Sequence, residues 1–159
     1  MRTSLLIVTC LAVGCSRDGR APRKDQPSKA LVELARKCTH DSEVSCARPI
    51  FGVKDLRASQ RYYRDALGFK LDWDHGEPAD FGSVSRGDGQ IFLSQVGEGR
   101  GGSWSMMFVR DVDKLHAELV EKHAIIKMPP TDMPWGLREM QVEDPDGNVM
   151  RFGSSRDHH

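Results

Sequence analysis

Six histidines, four cysteines, three tryptophans and a balanced set of charges are the groups with which this 159-residue chain could do chemistry. Metal chemistry needs several lone-pair donors brought close together. His116 and His123 stand seven apart among charged neighbours and read as solvated. His75 with Glu77 lacks further ligands, and His158 and His159 end the chain. Cys38 and Cys46 lack the Cys-x-x-Cys spacing of a redox or zinc site. They could pair in an oxidising compartment or remain two thiols. No Ser-His-Asp arrangement stands out, and the glycine-rich stretch 96–103 lacks the Gly-Lys-Ser/Thr ending of a phosphate loop, so it reads as a linker. Catalytic and metal sites are thus poorly supplied, and aromatic and cationic side chains are what remain. Trp73 and Phe81 lie at strand ends, and Trp135 sits in a Pro-Trp-Gly turn with little core to join. Such rings offer stacking and cation–π attraction of about 0.5–2 kcal/mol each.

The elements that must position these residues come in two copies. Val53-Lys54-Asp55-Leu56 returns as Val109-Arg110-Asp111-Val112, an offset of 56 residues. Each copy follows an apolar, strand-like stretch and precedes a helical pattern, with Asp55 and Asp111 placed to cap the helices. The first apolar stripe runs Leu56, Tyr62, Tyr63, Ala66, Leu67 and ends at Gly68; the second is Val112, Leu115, Leu119, Val120, with Lys122 and His123 in its last turn. Strand patterns follow: Phe69 to Asp74 in alternation, Phe81 to Ser85, and Ile91 to Leu93 after an Asp88-Gly89 turn. The second copy repeats the ending as Leu137 to Val142, the turn Asp144-Pro145-Asp146-Gly147, and Val149 to Phe152. The fold class is therefore α+β, built from two tandem βαβββ modules at 47–96 and 104–153. Alternation places Ile50 on the face of Arg48, Met106 and Phe108 on that of Trp104, and Ile91 and Val149 beside Leu93 and Arg151. Core packing is the favoured reading for Ile50, Ile91 and Phe92. Asp72, Asp74, Glu77 and Asp80 make an acidic stretch that either draws in a cation or is a solvated hairpin.

The 23 bases and 23 acids cancel, which argues against a protein that coats nucleic acid. The cancellation is regional: residues 16–40 carry a net of +4 and residues 41–159 a net of −5. Ahead of both, Ser4 to Gly14 is almost wholly apolar after a basic start. Eleven helical residues reach about 16 Å, too short for a bilayer core of about 30 Å, so residues 1–14 read as a cleaved signal peptide. Leu11-Ala12-Val13-Gly14-Cys15 resembles the lipobox of bacterial lipoproteins, with Ala12 where Leu is usual. That resemblance implies lipidation at Cys15 and an exported, membrane-anchored protein of the bacterial envelope, on the outer-membrane or periplasmic side in a Gram-negative host. Residues 15–46 then form a polar tether with a short helical stretch at 29–37. The folded domain spans 47–154, and 155–159 is a tail.

Paired βαβββ units with Val-Lys-Asp-Leu and Tyr-Tyr-Arg-Asp-Ala-Leu-Gly-Phe (residues 53–56 and 62–69) resemble the glyoxalase/bleomycin resistance/extradiol dioxygenase superfamily, also called vicinal oxygen chelate proteins. The ending Pro134-Trp135-Gly136-Leu137-Arg138-Glu139, with Glu143 to Asn148 and Arg151-Phe152-Gly153, is most similar to the bleomycin resistance proteins. The resemblance implies curved mixed sheets enclosing a concave cleft, a homodimer, and sequestration of a cationic or aromatic glycopeptide-like compound without chemical change. Its metalloenzymes would place ligands at Arg48, Leu93, Trp104 and Arg151. None of these side chains can hold a divalent ion, so the expectation is no metal, no cofactor and no catalytic residue. The ligand-binding set expected is Trp73, Phe81, Trp104, Met106, Phe108, Trp135 and Arg151. Two rival readings are a metal-dependent lyase, isomerase or dioxygenase of the same superfamily, and a scaffold module of the envelope without a small ligand.

Overall fold

The structure is a computed structural model that describes residues 47–155 apart from residues 98 and 100. Residues 1–46, where a signal peptide and a tether are expected, lie outside the described residues, and with them Cys15, Cys38 and Cys46. Within them no helix is long and apolar enough to cross a membrane.

The first module runs β1 (Ile50–Gly52), α1 (Leu56–Asp65), β2 (Lys70–Gly76), β3 (Ala79–Arg86) and β4 (Gly89–Ser94). The second runs β5 (Trp104–Phe108), α2 (Val112–Glu121), β6 (Ile125–Asp132), β7 (Leu137–Glu143) and β8 (Val149–Ser155). Each module makes a four-stranded mixed sheet, in the orders β1-β4-β3-β2 and β5-β8-β7-β6. The only parallel pairs among the described strands are β1 with β4 and β5 with β8, because a helical crossover separates the first strand from the other three. Ser155, expected in the tail, closes β8 opposite Leu137.

The two helices start where the aspartates dictate. Asp55 and Asp111 hold extended backbone and accept from the N–H groups of Ala58 and Lys114, each at 2.9 Å. The helices end by different means. Gly68 takes the left-handed conformation (φ 69°), and the Phe69 N–H returns to Tyr63 O at 2.8 Å. In the second module His123 takes that conformation (φ 57°), so it caps α2 from outside and is not part of its last turn. β6 was not legible in the sequence, because Pro129-Pro130 breaks the strand pattern. The strand tolerates prolines because it forms the edge of its sheet.

One hydrophobic core serves both modules. Phe51, Val84, Ile91 and Leu93 from the first sheet and Met140, Val142, Met150 and Phe152 from the second meet Leu56, Tyr63, Val112, Leu115 and Leu119 of the helices. The helix-bearing faces of the two sheets therefore look inward, and the opposite face of each sheet looks away from the shared core. A buried clamp fixes the modules to each other. Asp144, in the β7–β8 connection, accepts four hydrogen bonds of 2.9 Å: from the Tyr63 hydroxyl, the Asn148 side chain, and the N–H groups of Asp146 and Asn148. The Asn148 amide also donates to Gly52 O at 3.0 Å, tying that connection to β1. Burial pushes the Asp144 carboxyl above its ordinary range, against the pull of these donors. Burial beside that carboxylate raises the Tyr63 phenol well above its usual value.

Candidate ligand-binding faces

On the first sheet, Trp73, Phe81 and Phe92 converge on the helix-free side. Their ring centroids lie 5.6 Å (Trp73–Phe81), 5.4 Å (Trp73–Phe92) and 5.7 Å (Phe81–Phe92) apart, in tilted or edge-on contact. The convergence depends on an irregularity in β2. Register shifts between Leu71 and Trp73, so Asp72 and Trp73 share the helix-free side while Asp74 turns back to pair with Arg57 of α1. Strict alternation would have separated Asp72 from Trp73. The same shift dissolves the acidic patch expected from Asp72, Asp74, Glu77 and Asp80, since Asp72 and Asp74 face opposite sides of the sheet.

Beside the rings lies a polar network. Asp72 accepts from the Ser83 hydroxyl at 2.9 Å, the Ser85 hydroxyl at 2.7 Å and the Gln90 amide at 3.1 Å. Gln90 accepts in turn from Arg48 Nε at 2.8 Å. Three donors thus occupy the carboxylate, and Arg48 is held at the margin of the aromatic cluster.

Leu93 is not on this face. It is fully buried in the shared core with Ile91, and Phe92 takes the outward position instead. The cause is turn length. The first hairpin closes through two residues, Gly87-Asp88, with Arg86 opposite Gly89. The second closes through the five residues between Glu143 and Val149. Leu93 and Arg151 each stand four residues after a hairpin glycine, Gly89 and Gly147, yet the unequal turns leave these two positions one residue out of step. The strand pairing restores equivalence, with Ile50 opposite Phe92 and Met106 opposite Arg151. Phe92 and Gln90 are the site residues the sequence reading missed, and the unequal turns were the signal that could have found them.

On the second sheet, Trp104, Met106 and Phe108 of β5 project from the helix-free side with Arg151 of β8. Trp104 is 54% exposed and Phe108 74% exposed. Val149 lies on the same side but is buried. Trp135 is carried by the β6–β7 connection, where Gly136 adopts φ 92° and donates its N–H to Met133 O at 3.1 Å. The Trp135 indole donates to Glu139 Oε1 at 2.7 Å, and Glu139 Oε2 lies 2.8 Å from Arg151 Nε as an ion pair. The Arg151 guanidinium stands 5.7 Å from the Trp135 ring centroid. The expected ligand-binding residues thus fall into two groups: Trp73 and Phe81 on the first face, and Trp104, Met106, Phe108, Trp135 and Arg151 on the second. The chain does not bring the two groups together, because the shared core separates them.

A family model for the Glyoxalase/Bleomycin resistance protein/Dioxygenase superfamily matches residues 46–152. The chain belongs to this superfamily. It is 27% identical over 116 residues to the YraH protein of Bacillus subtilis (strain 168), covering 63% of this chain and 90% of that one. Among solved structures, the bleomycin-binding protein of Streptomyces verticillus complexed with copper(II)-bleomycin is similar at a TM-score of 0.60 and 26% identity, covering 72% of this chain and 99% of that one. TioX of Micromonospora sp. ML1 shares the fold at a TM-score of 0.60 and 21% identity, over 69% of this chain and 99% of its own.

The metal positions implied by the superfamily resemblance hold Arg48, Phe92, Trp104 and Arg151 once the register is corrected. The correction leaves the chemistry unchanged: two permanent cations, a phenyl ring and an indole offer no lone pair to a divalent ion. Among the described residues no group of three or more His, Cys, Asp or Glu could hold a metal. The side chains present do not fit the metal of the superfamily's enzymes.

Proposed function

We propose that the chain is a metal-free binding protein of bleomycin-resistance type, which sequesters a bulky aromatic, glycopeptide-like compound without chemical change. The observation that carries this reading is the pair of outward aromatic faces, one built on Trp73, Phe81 and Phe92 and the other on Trp104, Trp135 and Arg151. An open sheet face covers one side of a planar ligand, whereas binding sites enclose most of the ligand surface. A homodimer that sets the first face of one copy against the second face of the other would make two equivalent clefts with aromatic walls on both sides. The bleomycin-binding structural neighbour supports a ligand of this size and kind. The lipobox-like Leu11 to Cys15 supports a lipid anchor at Cys15 and a place in the cell envelope, where the protein would meet the compound before it enters the cell.

All three tryptophans lie on the proposed walls, so their fluorescence is a direct probe. Titration of the full-length chain with cupric bleomycin should quench it at micromolar drug, with the drug recovered unchanged. A folded protein whose emission does not respond would eliminate the glycopeptide as ligand.

A further inference from the structure

We infer that the second face is a receptor for the carboxylate of an acidic aromatic compound, with Arg151 as the anchoring group. The inference rests on the binding reading above and names the chemical group that meets this wall. Glu139 is only 2% exposed; its Oε1 accepts from the Trp135 indole at 2.7 Å, and its Oε2 lies against Arg151 Nε at 2.8 Å as an ion pair without hydrogen-bond geometry. A ligand does not meet that acid. It meets the guanidinium, whose side chain is 33% exposed.

A guanidinium that turns its Nε toward one carboxylate keeps its Nη1/Nη2 edge for another planar acceptor, and this fork matches a carboxylate oxygen for oxygen. Among the described residues Arg151 forms its ion pair through Nε, and no ion pair engages its Nη atoms. The side chain has contacts on two sides: its Nε lies 2.8 Å from a buried acid, and its Cζ stands 5.7 Å from the Trp135 ring centroid. Little rotamer freedom is left to lose when a ligand binds.

The surroundings supply the aromatic half of the specificity. Trp104, Met106 and Phe108 are exposed apolar neighbours on the adjacent strand. Gly153 makes room for one of them: a Cβ there would lie 2.6 Å from Met106 Cε and 3.4 Å from Glu139 Cγ. On the first face Asp72 is likewise occupied by three donors, so neither wall presents a free carboxylate to a cation. On these walls a cation meets only aromatic ring faces, whereas an anion meets the Arg151 guanidinium.

The test is a charge series on one ring system, with the full-length chain titrated calorimetrically with 2-naphthoate, 2-naphthamide and 2-naphthylmethylammonium. Naphthoate should bind about tenfold or more tighter than either of the others, the scale of a charge-assisted hydrogen-bonded pair. Arg151→Met should remove that preference and leave naphthamide affinity unchanged. Where loss of the Glu139 partner prevents folding, Arg151→Lys keeps the charge but loses the fork, and should weaken naphthoate several-fold. Equal affinity for naphthoate and the ammonium compound, or naphthoate binding that survives both substitutions, overturns the proposal. Binding of cupric bleomycin without a naphthoate preference would refute this inference and leave the cleft reading standing. Failure of all three naphthalene probes and of the drug would remove both.

Discussion

Tyr63→Phe isolates the clamp that holds the two modules together. The Tyr63 side chain is fully buried, and its hydroxyl donates to Asp144 Oδ2 at 2.9 Å. Deleting the hydroxyl removes a hydrogen bond to a charged acceptor, worth about 1.5–3 kcal/mol, and leaves a void of only one oxygen. Asp144 Oδ2 keeps the Asn148 amide at 2.9 Å, so the carboxylate is weakened in its pairing but not orphaned. The net cost is therefore about 2 kcal/mol, which for a domain of this size lowers Tm by about 8 °C. Tyr62→Phe is the control. That hydroxyl donates to Glu143 O and accepts from the Ile125 N–H, both at 3.0 Å, but it is only half-buried and its partners are neutral. About 1 kcal/mol is expected there. Urea and thermal unfolding followed by circular dichroism measure both. A Tyr63→Phe protein within 0.5 kcal/mol of its parent, or less affected than Tyr62→Phe, would refute the clamp as the main polar tie between modules.

Three further outcomes follow from the same geometry. Stability should decline as pH rises above about 10, because the unfolded chain releases the tyrosine proton there while folded Tyr63, with its raised pKa, retains it; pH-dependent urea unfolding should show this slope shrink in Tyr63→Phe, and an unchanged slope would assign the decline to other groups. Leu93→Ala should cost about 2–5 kcal/mol as a core truncation, whereas Phe92→Ala should leave stability nearly intact and weaken aromatic ligand binding several-fold; the reverse pattern in paired unfolding and binding experiments would restore the glycine-counted register. Cys15→Ala should abolish incorporation of labelled fatty acid into the expressed chain, and retained label would remove Cys15 as the anchor.

Much of this protein was legible along the chain because it is written twice. The repeated Val-x-Asp-Val/Leu segments, 56 residues apart, determined both helices and their caps, since an aspartate before an apolar stripe satisfies the free N–H groups of a first turn wherever it occurs. Strand periodicity determined that Met106 and Phe108 would share a side with Trp104. These are local rules, which need nothing from the rest of the fold. What only the tertiary structure decided were the quantities that depend on pairing between strands. The unequal lengths of the two hairpin connections moved Leu93 into the core and Phe92 onto the surface, because a one-residue slip reverses the face of every side chain in a strand. The irregularity in β2 joined Asp72 to Trp73 and parted Asp72 from Asp74 for the same reason. The ion pair of Arg151 with Glu139, and the tie of Tyr63 to Asp144, join residues 12 and 81 positions apart, and no local pattern encodes a partner at such a distance. The sequence named the aromatic and cationic residues; the packing of two sheets around one core determined which of them face outward together, and which charge is left for a ligand to meet.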